Sequence, residues 1–120
     1  MIRRLFILLL LVSNTLNSVA QANRIIKPKP GYDLSEFIAK NIQYPQMAKD
    51  ANVEGSVVLE FMVDENGKIS HVRIVRPLGY ACDEEAVRVV KKMPDWKPGS
   101  YNGKPSRMFF VQRIRFDIRQ

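Results

Sequence analysis

The stretch GSVVLEFMVDENGKI, residues 55–69, decides the fold. Val57, Leu59, Phe61 and Val63 alternate with Ser56, Val58, Glu60 and Met62, the period of two that sends one apolar set to one face of a strand. Asp64-Glu65-Asn66-Gly67 then reads as a hairpin turn in which Asn-Gly supplies the positive φ angles. The return strand is expected from Lys68 to Arg76, with Val72 and Ile74 inward. Ile69 is out of phase with them by one residue, which predicts a bulge near Ser70.

Upstream, Asp33-Leu34-Ser35-Glu36 has the form of a capping box, and Leu34, Phe37, Ile38 and Ile42 recur at helical spacing. This helix is predicted to stop near Asn41, because Tyr44 precedes a proline and is pushed out of the helical region. Pro45 suits the first turn of a second helix, with Met47, Ala48 and Ala51 as a narrow buried face. Asn52 can take the left-handed stop conformation, and Gly55 frees the chain to extend.

Downstream of the Pro77–Tyr80 loop, Asp83 is expected to cap a helix, with Glu84 and Glu85 in its first turn and Lys91-Lys92 in its last. Ala86, Val89, Val90 and Met93 follow i, i+3, i+4, i+7, one face against a sheet, and Pro94 ends the run. Asp95 to Pro105 is broken by glycines and prolines and is expected to be irregular. Trp96 reads as a packed anchor. From Arg107 to Ile118 comes a last strand, with Phe110, Gln112, Ile114, Phe116 and Ile118 in one phase. The fold class is therefore α+β: a three-stranded antiparallel sheet with helices packed on one face and an edge with unpaired backbone groups.

The N-terminus reads Met1-Ile2-Arg3-Arg4, then an apolar run from Leu5 to Val12, then polar residues to Ser18 and small residues around Ala20 and Ala22. That order describes a signal peptide, and the apolar run is shorter than the roughly 20 residues of a spanning helix. Residues 1–22 are accordingly read as a leader cleaved near Ala20 or Ala22, residues 23–33 as a short basic lead-in, and residues 34–120 as the domain. Loss of Arg3 and Arg4 would lower the net charge from +7 to +5. The basic residues are dispersed, so a solvated surface is preferred over steering toward acidic peptides or anionic membranes, and export argues against nucleic acid as a partner. Cys82 is the single cysteine, which excludes an internal disulfide. It reads as a small buried apolar residue, with an intermolecular disulfide or reactive thiol as the alternative.

No catalytic or metal-ligating constellation is legible, and no cofactor is expected. His71 and Cys82 are single and not at ligand spacing, no glycine-rich phosphate loop occurs, and Asp83, Glu84 and Glu85 are accounted for by a helix N-terminus.

Tyr44-Pro45 with Ala48, the run Gly55–Ile69, Asp83-Glu84-Glu85-Ala86, Met93-Pro94-Asp95-Trp96-Lys97-Pro98-Gly99 and Asn102-Gly103-Lys104-Pro105 occur in one order over Ile42–Ile118. In that order they resemble the C-terminal domain family of TonB. The resemblance implies a non-enzymatic periplasmic adaptor that takes part in energy transduction. Such a domain binds the extended "TonB box" of outer-membrane receptors by adding it as a strand to the edge of the last strand. Carried over by position, the partner-binding residues are Asn41, Gln43, Tyr44 and Pro45, with the backbone of Phe109, Phe110, Val111, Gln112, Arg113, Ile114, Arg115 and Phe116. For Tyr44 and Pro45 the alternative is a purely structural part, fixing the helix start and packing on the sheet. Where the family often has a proline in the last strand this chain has Arg113, which restores a backbone N–H. A full transducer also has a membrane-spanning helix and a long proline-rich arm; this chain reads as a stand-alone form without the arm. An inner-membrane energising complex enters as a partner only if the N-terminus is retained, and a homodimer through the same edge stays open. The competing reading is a structural or regulatory envelope protein that reuses the fold without energy coupling.

Overall fold

The computed structural model describes residues 23–119 of the chain, so the predicted leader, residues 1–22, lies outside the described residues. The elements run β1 (Ile25–Ile26), β2 (Lys29–Pro30), α1 (Leu34–Asn41), α2 (Gln46–Asp50), β3 (Gly55–Val63), β4 (Ile69–Arg76), α3 (Cys82–Lys91), β5 (Trp96–Lys97), β6 (Gly99–Tyr101), β7 (Lys104–Ser106) and β8 (Met108–Phe116). The central sheet has the three antiparallel strands expected, in the order β4-β3-β8. Val57, Leu59, Phe61 and Val63 are completely buried, together with Ile114 and Phe116 of β8. Ala86, Val89 and Val90 of α3 and Ala48 of α2 close the core over this one face. Strand alternation therefore separates a helix-covered face from a bare one.

Local chemistry sets most element ends. Asp33 caps α1, its Oδ1 accepting the Glu36 N–H at 3.1 Å. Asn52 takes φ 52°, the expected left-handed stop after α2. Pro45 sits one position earlier than expected: it is the extended cap before α2, and its carbonyl accepts the N–H groups of Ala48 and Lys49. With only five residues, α2 turns one side chain inward, Ala48, and leaves Met47 exposed.

The β3–β4 turn differs in one respect from its reading. Gly67 has φ 82°, but Asn66 is not left-handed. Asp64 Oδ1 accepts the N–H of both Asn66 and Lys68, and this side-chain turn holds Asn66 in ordinary conformation. The bulge is present: His71 takes φ 54°, and the β3–β4 register shifts between Glu60 and Met62 and again between Val58 and Leu59.

Asp83 does not cap α3. The helix begins at Cys82 after a left-handed Ala81, and the Asp83 carboxylate turns back to accept the N–H groups of Leu78 (2.8 Å) and Gly79 (3.0 Å). It tightens the loop instead, with its carboxylate engaged by these two loop N–H groups. The segment 95–105, expected to be irregular, forms three short strands. Asn102 (φ 51°) and Gly103 (φ 82°) make a two-residue hairpin turn between β6 and β7. The lead-in pairs with it: Ile25 and Ile26 lie opposite Tyr101 and Ser100, and Lys29 and Pro30 opposite Lys97 and Trp96. Each ladder is too short to announce itself by periodicity; tertiary pairing creates it.

Trp96 is the joint between these layers. It is 3% exposed, its ring lies edge-on to Phe61 (5.2 Å) and Phe110 (4.9 Å), and its Nε1–H donates to the Tyr32 hydroxyl at 3.1 Å. Cys82 is fully buried, and burial, aided by Asp83 and Glu84, pushes its thiol up.

Candidate functional site

The two outer strands of the central sheet are not equivalent. β8 pairs with β3 over nine consecutive residues, Gly55↔Phe116 to Val63↔Met108, with no break in register. Its other side has no strand partner among the described residues. β4 instead carries two register shifts and a left-handed residue. Bulges twist an edge and spoil it as a template, whereas a long regular edge presents alternate N–H and C=O groups at strand spacing. Arg113 contributes an ordinary N–H where a proline would not.

Beside the regular edge runs a groove. α1 has no fully buried residue; Leu34, Phe37 and Ile38 lean on the core from one side. Between α1 and β8 lies a cavity of about 220 Å³, walled by Leu34, Ser35, Ile38 and Ala39 on one side and residues 112–115 on the other. Ala39 also borders the next cavity, about 340 Å³, completed by Ile42, Tyr44, Lys49 and Ile118. A strand laid along residues 112–116 would direct every second side chain into this groove.

The structure brings only some of the expected site residues together. Tyr44 lies edge-on to Phe116 at 5.8 Å, and its hydroxyl donates to the Val53 carbonyl. Burial pushes its phenol up, helped by the neighbouring Cys82 thiol and the carboxylates of Glu54 and Asp117, so it stays a neutral donor. Tyr44 thus packs on the sheet, as in its structural alternative, and also walls the groove. Pro45 faces the other way, toward an open hollow with Ala81, Glu84 and Arg88. Asn41 and Gln43 are tied to α3: the Arg88 Nη2 donates to the Asn41 carbonyl at 2.7 Å, and the Gln43 N–H donates to Glu85 Oε2 at 2.7 Å. At the other end of β8, Phe110 packs on Trp96 and Phe61, while Phe109 and Val111 point outward, 59% and 57% exposed. Sequence reasoning missed Leu34, Ser35, Ile38 and Ala39 as groove residues. Their helical spacing was visible, but the incomplete burial that leaves a groove was not.

The Glu85–Arg88 pair makes this geometry depend on pH. Burial alone would push the Glu85 carboxyl up; the Arg88 guanidinium and the Gln43 N–H, with Lys92 nearby, outweigh it and hold the carboxyl below its ordinary value of 4.5. A depressed folded value contributes stability that is present above 4.5 and is lost as pH falls through that lower value. Glu85→Gln is therefore expected to lose about 1–2 kcal/mol at pH 7, the excess of a charge-assisted bond over a neutral one. The difference from wild type should shrink as the pH falls through that lowered value, and urea unfolding at pH 7 and in acid measures both. An equal deficit at both pH values would refute the charge argument.

The family described as Gram-negative bacterial TonB protein C-terminal matches residues 40–118, and the chain belongs to it. The same fold appears in the NMR solution structure of Helicobacter pylori TonB-CTD, with 18% identity and a TM-score of 0.55 over 72% of this chain and 91% of that one. No curated protein matches.

Proposed function

We propose that this chain is a periplasmic, non-enzymatic TonB-like adaptor that takes the extended box of an outer-membrane receptor as an added strand on β8, in TonB-dependent transport. One observation carries the reading: of the two outer strands, β8 keeps an unbroken register where β4 does not, and a groove runs alongside β8. Backbone pairing would supply affinity, and side chains entering the groove would supply selection. Export with cleavage near Ala20 or Ala22 belongs to the same proposal, and mass spectrometry of the protein's N-terminus tests it. No helix among the described residues is long and apolar enough to cross a membrane.

The test uses TonB-box peptides, N-methylated at alternate backbone positions, titrated against the protein. Strand addition predicts a parity effect: one methylated set loses binding and the other, whose N–H groups point away from β8, keeps it. Ala39→Trp, on an exposed helix position bordering both cavities, should weaken binding at least about ten-fold without touching the core. If no box peptide binds, or if both methylated sets bind alike, receptor capture by this edge is refuted. Self-association through β8 would then support a structural or regulatory role in the envelope.

A further inference from the structure

The bare face of the central sheet carries a pattern that the strand edge does not use. Its residues follow from register, since cross-strand partners share a face. Met62 lies opposite Phe109 and Ser70, Glu60 opposite Val111 and Arg73, Val58 opposite Arg113 and Arg76, and Ser56 opposite Arg115. Among the described residues no helix covers this face: every residue of β3 that points to it is partly exposed, whereas every residue pointing the other way beyond Gly55 is buried. An apolar strip of Val58, Met62, Phe109 and Val111 therefore sits in the open, with Phe109 and Val111 more than half exposed. Around it stand Arg73, Arg76, Arg113 and Arg115, all exposed, against one carboxylate, Glu60. Glu60 is spent on Arg73, at 3.2 Å. Asp117, just past the Phe116 end of the ladder, lies close enough to Arg115 to feel its charge, and Glu65 is paired with Arg107 at the opposite end.

The usual solvent face of an antiparallel sheet is polar and of mixed charge. This one is apolar in its middle and predominantly basic around it, four arginines against Glu60 and the neighbouring Asp117. We infer that it docks on an anionic lipid bilayer, with Phe109 and Val111 entering the interface and the arginines meeting lipid phosphates. Charge complementarity selects this occupant. Arginine pairs bidentately with phosphate, and a basic rim around exposed aromatic and aliphatic side chains is the pattern of an interfacial anchor. The pose leaves β8's edge and the α1 groove at the side of the contact, open to an incoming strand, so docking and strand addition do not compete.

The test places a reporter in the face. Phe109→Trp is introduced into the protein in the form that cells accumulate; the buried Trp96 gives a constant background. Vesicles contain brominated lipids, either phosphatidylcholine alone or about one part phosphatidylglycerol to two of phosphatidylcholine. The expected result is quenching at position 109 in the phosphatidylglycerol vesicles alone, reversed in about 0.5 M salt, where screening shortens to a few Å. In the reporter protein, Arg113→Gln with Arg115→Gln should lower partitioning about 25-fold, near five-fold for each charge at an anionic surface. Lys91→Gln with Lys92→Gln removes the same charge from the end of α3 and should change it less than about two-fold. All variants are exposed-site changes, and their urea midpoints are checked first. Three results would each overturn the inference: no quenching with phosphatidylglycerol, equal quenching without it, or the lysine pair costing as much as the arginine pair.

Discussion

Gly67→Ala should lower the thermal midpoint by about 10 °C or more, among the largest effects of any single methyl group in this domain. A Cβ at Gly67 would fall 1.9 Å from the Trp96 carbonyl oxygen, and φ is 82°. The neighbour is backbone, held by the Trp96 N–H donating to the Gly67 carbonyl at 2.8 Å, so it cannot give way without breaking that bond and lifting Trp96 from its rings. The left-handed conformation costs a non-glycine residue about 1 kcal/mol and the broken buried bond about 1–3 more, giving roughly 2–4 kcal/mol in total. Gly103 is the internal control. Its φ is also 82°, but nothing lies within 4 Å of a Cβ there, so Gly103→Ala should lose only the conformational part, about 1 kcal/mol. Thermal and urea unfolding of the two variants separate the steric cost from the conformational one. Equal losses would show that the approach of Trp96 does not matter.

Trp96→Ala should cost about 3–5 kcal/mol, the range for emptying a large aromatic site in a core. Two ring contacts and the hydrogen bond to Tyr32 disappear together, and the strand that carries Trp96 loses its hold on Pro30. The loss should also spread to a place no side-chain inventory would name: amide exchange at Lys29 should rise along with the global destabilisation. Trp96→Phe keeps the aromatic contacts and removes the donor. In a double-mutant cycle with Tyr32→Phe, the coupling should be about 1 kcal/mol, the net worth of one such bond. A Trp96→Ala loss under about 1.5 kcal/mol would contradict the anchor role.

The two Asn-Gly dipeptides show where local reading works and where it stops. At 102–103 both residues are left-handed and close a two-residue hairpin, as the dipeptide prefers, although the surrounding glycines and prolines hid the strands. At 66–67 the same dipeptide does something else, because Asp64 competes for the Asn66 N–H. Asp83 repeats the lesson. Its position suits a cap, yet two loop N–H groups claim its carboxylate. In each case the residue's preference was legible, while the identity of its partner was not.

The candidate site divides the same way. The strand 109–116 and its phase were readable from alternation, and the resemblance pointed to its edge. That Asn41 and Gln43 would be bound to α3 while Tyr44 met Phe116 depended on contacts between residues far apart in sequence, such as Gln43 with Glu85.

Periodicity and turn chemistry act over a few residues, and for this chain they determined the α+β class, the apolar face of the central sheet and the stripe of α3. Tertiary structure decided what depends on two distant segments meeting. The unbroken register of β8 against the bulged β4, the groove left by a half-buried α1, and the pairing of residues 25–30 with 96–101 all belong there. The physical reason is that a strand's free edge and a helix's uncovered side are defined by what does not pack against them, and no residue encodes that alone.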